Sequence, residues 1–189
     1  MKTAQSIEVL NAIYQRRAIR QYTGEPIEAQ TIDGLIDAAI QAPSSMNVQP
    51  WAFVVIQGAA RLENYSDRIK AHLLSTPGAA GTDMPHLLAE NVNLFHGAPV
   101  LIIICATADD EQAMEDCSLA AQTLMLAASA CELGSCPIGF SRPWFRLAET
   151  KREIGIPQDL VPAFSLVLGV PNERPERPER HPPRVIHIP

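Results

Sequence analysis

The stretch Cys117–Leu133, with the sequence CSLAAQTLMLAASACEL, is apolar at twelve of its seventeen positions. A helix built from it would be apolar on nearly all sides, and such a helix belongs in a protein interior. A bilayer span needs about 20 apolar residues, whereas Gln122, Thr123 and Ser129 interrupt this run. We therefore predict a buried central helix, with Gly134 as its C-cap glycine.

The segments on both sides of that helix predict a β-sheet covered by helices. Short apolar or β-branched runs predict strands, and apolar stripes at helical spacing predict helices. The predicted strands are Trp51–Ile56, Val100–Ala106, Ser135–Phe140 and Ala163–Val170, and the other helices are Ser6–Gln15, Ile27–Gln41 and Trp144–Ile154. We expect one domain, residues 1–189, of the α/β (α+β) class, with a mixed sheet sandwiched by helices.

Two segments lack a strong pattern. The polar stretch 61–90 predicts two weak helices around Pro77–Gly81 and a mobile or variable part of the fold. The 19 residues after Val170 include six prolines. Because proline cannot continue a helix or a central strand, we expect residues 171–189 to run extended over a surface.

Positive charge is concentrated in two parts of this acidic chain. The net charge of −6 argues against nucleic acids and anionic membranes as partners. Arginine nevertheless outnumbers lysine twelve to three. The arginines gather near the two ends, at Arg16, Arg17 and Arg20 and at Arg174, Arg177, Arg180 and Arg184. This distribution suggests an anionic ligand.

The cysteines and the N-terminal residues predict a protein of a reducing compartment. The four cysteines, Cys105, Cys117, Cys131 and Cys136, form no C-x-x-C pair and lie in or beside apolar segments. We therefore expect buried thiols and no metal site. The first residues contain no apolar core of a secretory signal, so a cytoplasmic location is the expectation.

The segment Arg16–Arg20, RRAIR, follows directly after the first predicted helix. Guanidinium groups bind phosphate in a bidentate manner, which favours a phosphate site here. Arginines at a helix C-terminus also interact favourably with the helix dipole, without any ligand. Both interpretations stay open for this segment alone.

The segment 42–51, APSSMNVQPW, precedes the first predicted strand. Two prolines bracket short polar side chains, as in an ordinary helix-to-strand loop. Asn47 and Gln49 add two amides with paired donors and acceptors, which suit the edge of a heterocycle.

Glycines flank the strand predicted after the central helix, in Gly134–Phe140, GSCPIGF. Glycine permits close approach of a ligand to the backbone, but a helix cap and a turn would also explain it. The pattern is not G-x-G-x-x-G, so a Rossmann dinucleotide site is unsupported. The tail arginines are equally compatible with a solvated linker.

Taken in order, these four segments resemble the nitroreductase family of FMN enzymes. The resemblance covers nearly the whole chain: R-R-x-I-R near the start, A-P-S-S-x-N-x-Q-P-W, the alanine-rich helix ending in G-S-C-P-I-G, and L-G-V-P before a Pro/Arg-rich tail. The second motif is the most specific. The resemblance implies an interlocked homodimer with FMN at the subunit interface, and a tail, residues 171–189, that packs on the partner subunit.

The resemblance further implies which residues hold FMN. Its phosphate would be bound by Arg16 and Arg180, its ribityl chain would contact Arg17 and Ala18, and its pyrimidine end would face Arg20. Ala18 stands where the family often has serine, so one hydrogen bond to the cofactor would be missing. The tail is unusually rich in Pro, Glu and Arg, and another tail arginine, 177 or 184, could take the place of Arg180.

Two more groups of residues would complete the implied site. The residues expected from the partner subunit are Pro43, Ser44, Ser45 and Asn47, and those expected to present backbone near the flavin ring are Pro137, Ile138 and Gly139.

The implied activity is reduction of a small electrophilic acceptor, such as a nitroaromatic, quinone or enone. NADH or NADPH would supply hydride through FMN by a ping-pong mechanism. No nucleophile–base pair is visible, so we expect no catalytic side chain, because the flavin carries the chemistry. Two alternatives stay open: a flavin-binding protein without turnover, serving storage or sensing, and a reductive dehalogenase-type or flavin-fragmenting relative on the same scaffold.

Overall fold

Helices and strands follow one another in the order that the sequence predicts. The computed structural model describes residues 4–76 and 85–188. Its helices are α1 (Ala4–Gln15), α2 (Ala29–Ala39), α3 (Ala59–Ser75), α4 (Glu111–Ala130), α5 (Arg142–Phe145) and α6 (Ala148–Ile154). Its strands are β1 (Trp51–Gln57), β2 (Val100–Ala106), β3 (Gly134–Pro137) and β4 (Val161–Gly169). Short 3₁₀ turns occupy Ser45–Asn47, Pro85–Leu88 and Gly139–Ser141.

The four strands form one antiparallel sheet in the order β1–β2–β4–β3. Strand β2 is an inner strand and is buried at every position, which explains its uninterrupted apolar sequence. A parallel bridge joins Ala18 to Ser135 at the β3 edge. This isolated bridge lies outside the four strands. Within the described residues those strands pair only in the antiparallel sense, where we expected a mixed sheet.

Helices cover both faces of the sheet, because alternate residues of β2 point to opposite sides. The residues of β2 that pack with α2 and α4 are Val100, Ile102 and Ile104. Those that pack with α3 and α5 are Leu101, Ile103 and Cys105. This arrangement of helices around one sheet is the fold class that the sequence predicts.

The central helix, α4, is longer than the apolar run that predicted it. It begins at Glu111 because the Asp110 carboxylate caps it, accepting the Ala113 amide at 2.8 Å. Its first turns are polar on the solvent side, so the apolar count missed them. The prediction that Gly134 caps its C-terminus is wrong. The left-handed residue after the helix is Glu132, with φ of 58°, and Gly134 begins β3.

The segment that we expected to be open and variable contains a core helix. Helix α3 buries Leu62, Tyr65 and Ile69 against the sheet. The buried Lys70 ammonium donates to three carbonyl oxygens of the loop before β2, which ties that loop to the helix. Two weak helices were expected around Pro77–Gly81, and those five residues themselves lie outside the described ones.

Several other boundaries differ from the prediction. The helix predicted over Trp144–Ile154 is two helices, because Leu147 takes extended backbone (φ −63°, ψ 133°) between them. Strand β3 ends at Pro137, since proline lacks the N–H that a ladder needs. From Asn172 to Ile188 the tail has neither helix nor strand. Within the described ranges, no helix combines the length and apolar character that a bilayer crossing requires.

Candidate functional site

The Arg16–Arg20 segment leaves α1 and runs beside β3. Ala18 pairs with Ser135, and the Ile19 amide donates to the Ser135 carbonyl oxygen at 3.0 Å. Ile19 is buried against Gly134, where a Cβ would lie only 2.8 Å from the Ile19 Cβ. Gly134 therefore admits the chain's own Ile19, and this contact fixes the backbone from which the three arginines project.

Two adjoining cavities border Arg16 and Arg17. The first has a volume of about 360 Å³ and is also lined by Glu132, Glu173 and Arg174. The second, of about 350 Å³, is lined by five of the expected residues: Arg16, Arg17, Ala18, Arg20 and Arg180. The tertiary structure thus brings together arginines from the two ends of the sequence.

Arg17 carries a buried polar atom without a partner. One terminal nitrogen donates to the Tyr14 and Arg16 carbonyl oxygens, each at 2.8 Å. The Nε–H of the same side chain is buried and forms no hydrogen bond among the described residues. Buried polar groups are nearly always satisfied, so an orphaned guanidinium N–H in an arginine-lined cavity suits an anionic ligand.

The tail arginines have different surroundings. Arg180 and Arg174 each line a cavity that Arg16 and Arg17 also line. The guanidinium of Arg177 instead lies over the Tyr14 ring, 5.1 Å from its centroid. This placement favours Arg180 over Arg177 as the phosphate ligand.

Two residues shortly after the last strand also belong to this site, and one of them, Glu173, was not expected there. Glu173 and Arg174 both line the larger cavity, and the Glu173 carboxylate accepts the Arg20 backbone N–H. Their position after the L-G-V-P motif was the available signal. Glu173 places a negative charge among the arginines.

Three other titratable groups near Arg20 stay neutral near pH 7. Burial raises the pKa of the Cys136 thiol, although Arg20 and Arg16 act in the opposite direction. Burial also raises the pKa of Tyr22, whose hydroxyl donates to the Ile19 carbonyl oxygen. Burial and the nearby Arg20 lower the pKa of His96. These neutral groups carry no charge that would oppose or assist an anion.

The Pro43–Gln49 loop is shaped by its own hydrogen bonds. The Ser44 hydroxyl accepts the Gln49 amide at 2.9 Å, and the Gln49 side chain donates to Asn47 Oδ1 at 3.2 Å. Met46, Asn47 and Gln49 have positive φ values of 48°, 58° and 53°. Ser45 and Asn47 are exposed, as is Pro43. The loop therefore presents polar groups outward on a strained backbone.

The loop and the arginine cavities lie at opposite ends of α4 in one chain. The Ser45 amide donates to Asp116, whereas Ser129 lines the larger arginine cavity. These two α4 residues are 13 positions apart, which corresponds to about 20 Å along a helix. Neither arginine cavity is lined by a residue of the loop.

The turn after β3 is only partly available to a ligand. Pro137 and Gly139 are exposed. Ile138 is buried, its amide donates to the Ser165 carbonyl oxygen at 2.8 Å, and its carbonyl oxygen accepts the Ser141 hydroxyl at 2.7 Å. The backbone of Ile138 is thus already hydrogen-bonded within the chain, which leaves Pro137 and Gly139 as the accessible residues of this turn.

The fold and the order of these segments are shared with proteins of known type. The sequence profile of the nitroreductase family matches residues 13–170. A candidate NADH dehydrogenase/NAD(P)H nitroreductase of Methanothermobacter thermautotrophicus is 30% identical over 186 residues, covering 96% of this chain and 87% of that protein. The FMN reductase (NAD(P)H) of Bacillus subtilis is 25% identical over 202 residues, covering 95% of this chain and 72% of that protein.

A solved structure agrees with these sequence relatives. A nitroreductase of Bacteroides fragilis with bound FMN has a TM-score of 0.78 and 26% identity, covering 96% of this chain and 98% of that one. The family profile spans most of this chain, and the Methanothermobacter relative aligns with this chain almost from end to end. The chain therefore belongs to the nitroreductase family.

Proposed function

We propose that the protein is an FMN-dependent oxidoreductase that uses NADH or NADPH to reduce a small electrophilic acceptor, such as a nitroaromatic, quinone or enone. The observation that carries the proposal is the arginine-lined cavity with the orphaned Nε–H of Arg17. Relatives described as NAD(P)H nitroreductase and FMN reductase, and the FMN-bound Bacteroides structure, support the same assignment.

The residues around the cavity fit a phosphate-bearing flavin. Arg16 and Arg180 would hold the phosphate, with Arg17 Nε as a further donor. Ala18 would line the ribityl chain and Arg20 would face the pyrimidine end. The exposed turn at Pro137 and Gly139 adjoins this segment, because the Ala18–Ser135 bridge holds the segment beside β3.

A second copy of the chain would complete the site. The loop residues Pro43, Ser44, Ser45 and Asn47 lie at the far end of α4 from the arginines, so a partner subunit is their source in our proposal. Large apolar side chains are exposed on α1, on this loop and at the tail: Val9, Ile13, Tyr14, Met46, Val48, Val185, Ile186 and Ile188. A homodimer with a packed tail would cover such surfaces.

In this proposal, the chain's own residues bind and orient FMN and adjust the charge around it. Hydride transfer is the chemistry that bound FMN supplies. Near the flavin edge, Arg20 would stabilise negative charge. We expect ping-pong kinetics, in which the nicotinamide leaves before the acceptor binds. The free cysteines are consistent with a reducing compartment, and we propose the cytoplasm.

Flavin analysis and turnover test the proposal together. The purified protein is expected to be yellow, to release FMN on denaturation, and to oxidise NADH or NADPH when menadione or a nitroaromatic is present. Chromatography of the released flavin reports the first two results, and loss of reduced nicotinamide against an acceptor-only control reports the third. Release of FAD, or no flavin uptake from added FMN, would contradict the proposal. FMN binding without nicotinamide oxidation would favour a storage or sensing protein.

A further inference from the structure

Asp116 is a buried carboxylate in the interior of α4. Asp116 is only 2% exposed. Its two oxygens accept the Ser45 amide at 3.3 and 3.2 Å, and one also accepts the Gln112 side-chain amide at 3.1 Å. Within residues 4–76 and 85–188 it forms no ion pair. Burying a carboxylate is unfavourable unless its hydrogen bonds are made, so the bond to Ser45 matters energetically.

The loop that Asp116 contacts needs an external anchor. Met46, Asn47 and Gln49 occupy left-handed backbone, which persists in residues other than glycine only where the surroundings enforce it. The hydrogen bonds among Ser44, Asn47 and Gln49 connect the loop only to itself. Asp116 connects its first part to α4.

The next residue of α4 holds the other end of the loop. The Cys117 thiol donates to the Pro50 carbonyl oxygen at 3.7 Å, and the Thr107 amide donates to the same oxygen at 3.1 Å. Helix α4 therefore fixes the loop at both ends. Among these contacts, only the one between the Ser45 amide and Asp116 has a charged acceptor.

We propose that Asp116 is a positioning residue, which holds residues 44–47 in the conformation that completes the flavin site of the partner subunit. The inference rests on the proposed function, because the loop contacts FMN only in that arrangement. Asp116 itself touches no cofactor and acts through the Ser45 amide.

The first test is FMN titration of the full-length apoprotein. Asp116→Ala is expected to raise the Kd for FMN about tenfold or more, since it removes a charge-assisted hydrogen bond. Asp116→Asn keeps one acceptor oxygen, so it is expected to raise the Kd for FMN less. Asp110→Ala is the matched control, because it removes the helix cap on the same end of α4 without touching the loop. It should lower the melting temperature and leave the Kd unchanged.

Mixed dimers separate positioning from a general defect of α4. Subunits carrying Asp116→Ala and subunits carrying Arg16→Ala are co-expressed with different tags and purified on both. One of the two sites then contains neither change, so one FMN per dimer should bind with wild-type Kd. If Asp116→Ala does not fold, Asp116→Asn replaces it in the hybrid.

The outcomes distinguish this inference from the proposed function. Failure of the wild-type protein to bind FMN would overturn the proposed function. A wild-type Kd in Asp116→Ala would overturn only the role of Asp116. A hybrid with no site of wild-type affinity would show that Asp116→Ala damages the site of its own subunit, and would overturn its role in the partner's site.

Discussion

At the scale of single residues, the arginines of the cavity differ in how firmly they are held. Arg17 is fixed by two carbonyl oxygens and keeps a buried Nε–H for a ligand. Arg16 is half-buried, while Arg20 and Arg180 are exposed. We therefore expect Arg16 and Arg17 to provide a preorganised part of the phosphate site, and Arg180 to close over it from the tail.

Loss of either phosphate-binding arginine is expected to weaken FMN binding without unfolding the chain. Removing one partner of a buried, hydrogen-bonded charge pair costs about 2–5 kcal/mol. Arg16→Ala should lose FMN-binding free energy near the lower end of that range. Arg180→Ala should lose less, because Arg180 is exposed. Flavin titration measures both. Arg177→Ala is the control, because the Arg177 guanidinium lies over Tyr14. If Arg177→Ala bound FMN more weakly and Arg180→Ala bound it normally, the tail arginine that holds the phosphate would be misassigned.

Replacement of Arg20 is expected to lower the midpoint potential of bound FMN. A cation beside the pyrimidine edge stabilises the negative charge gained on reduction. For a two-electron couple, a loss of about 1.4 kcal/mol corresponds to about 30 mV. Arg20→Gln should therefore lower the potential by a few tens of millivolts and slow reduction by NADH or NADPH, with FMN affinity largely retained. An unchanged potential in a redox titration would identify Arg20 as a surface charge.

The half-buried imidazole of His96 is expected to make the fold sensitive to acid. Its pKa is lowered in the folded state from 6.5, by burial and by Arg20. The unfolded chain therefore binds the proton more readily, so the stability from neutral His96 is present above pH 6.5 and is lost as pH falls toward the folded-state pKa. Thermal denaturation at pH 7.5 and 5.5 should show a smaller loss for His96→Gln than for wild type. Equal losses would mean that His96 contributes nothing.

At the scale of elements, two close contacts hold the arginine segment against the sheet. Gly134 lets Ile19 reach β3, and Gly169 lets Tyr22 reach β4, where a Cβ would lie 2.6 Å from the Tyr22 ring. The segment between these contacts cannot shift without disturbing strands. The rigidity of the cavity thus comes from the sheet edge rather than from the arginines.

Gly134→Ala is expected to destabilise the fold and to weaken FMN binding together. Its added Cβ would overlap Ile19, and overpacking of a close contact typically costs about 1–3 kcal/mol. The displaced segment carries Arg16 and Arg17. Gly34→Ala, in the exposed interior of α2 with no atom within 4 Å of the new Cβ, should instead gain about 0.5–1 kcal/mol. Equal effects in denaturant titrations of the two variants would contradict the packing argument.

At the scale of the whole molecule, the separation of loop and arginines predicts an obligate homodimer. The two groups face opposite ends of α4, and apolar side chains on α1 and the tail stay uncovered in one chain. Obligate interfaces commonly bury more than about 2,000 Å². Light scattering at low protein concentration should give twice the chain mass, and flavin absorbance should give two FMN per dimer. A stable monomer that retains flavin would contradict both the interface and the shared site.

The sequence by itself determined the elements and their order. The apolar run of β2 and the periodicity of α1 and α2 predicted those elements closely, because burial on both faces of a strand or on one face of a helix leaves a local pattern. The run Cys117–Leu133 likewise predicted a buried helix. Order and spacing of the motifs were enough to indicate the family, since the loop 42–51 combines residue types that an ordinary connection does not need.

The tertiary structure decided what depends on contacts between distant residues. Local patterns do not encode contacts between residues far apart in sequence. Such contacts let Gly134 admit Ile19 and place Glu173 beside Arg20. They also direct Arg177 to Tyr14 but Arg180 to the cavity of Arg16. Helix α3 was underestimated for the same reason. Its exposed face is polar, and the burial of its other face, which includes Ser66 and Lys70, became evident only against the sheet. The bond between Asp116 and Ser45 spans 71 positions, and only folding brings that carboxylate to the loop.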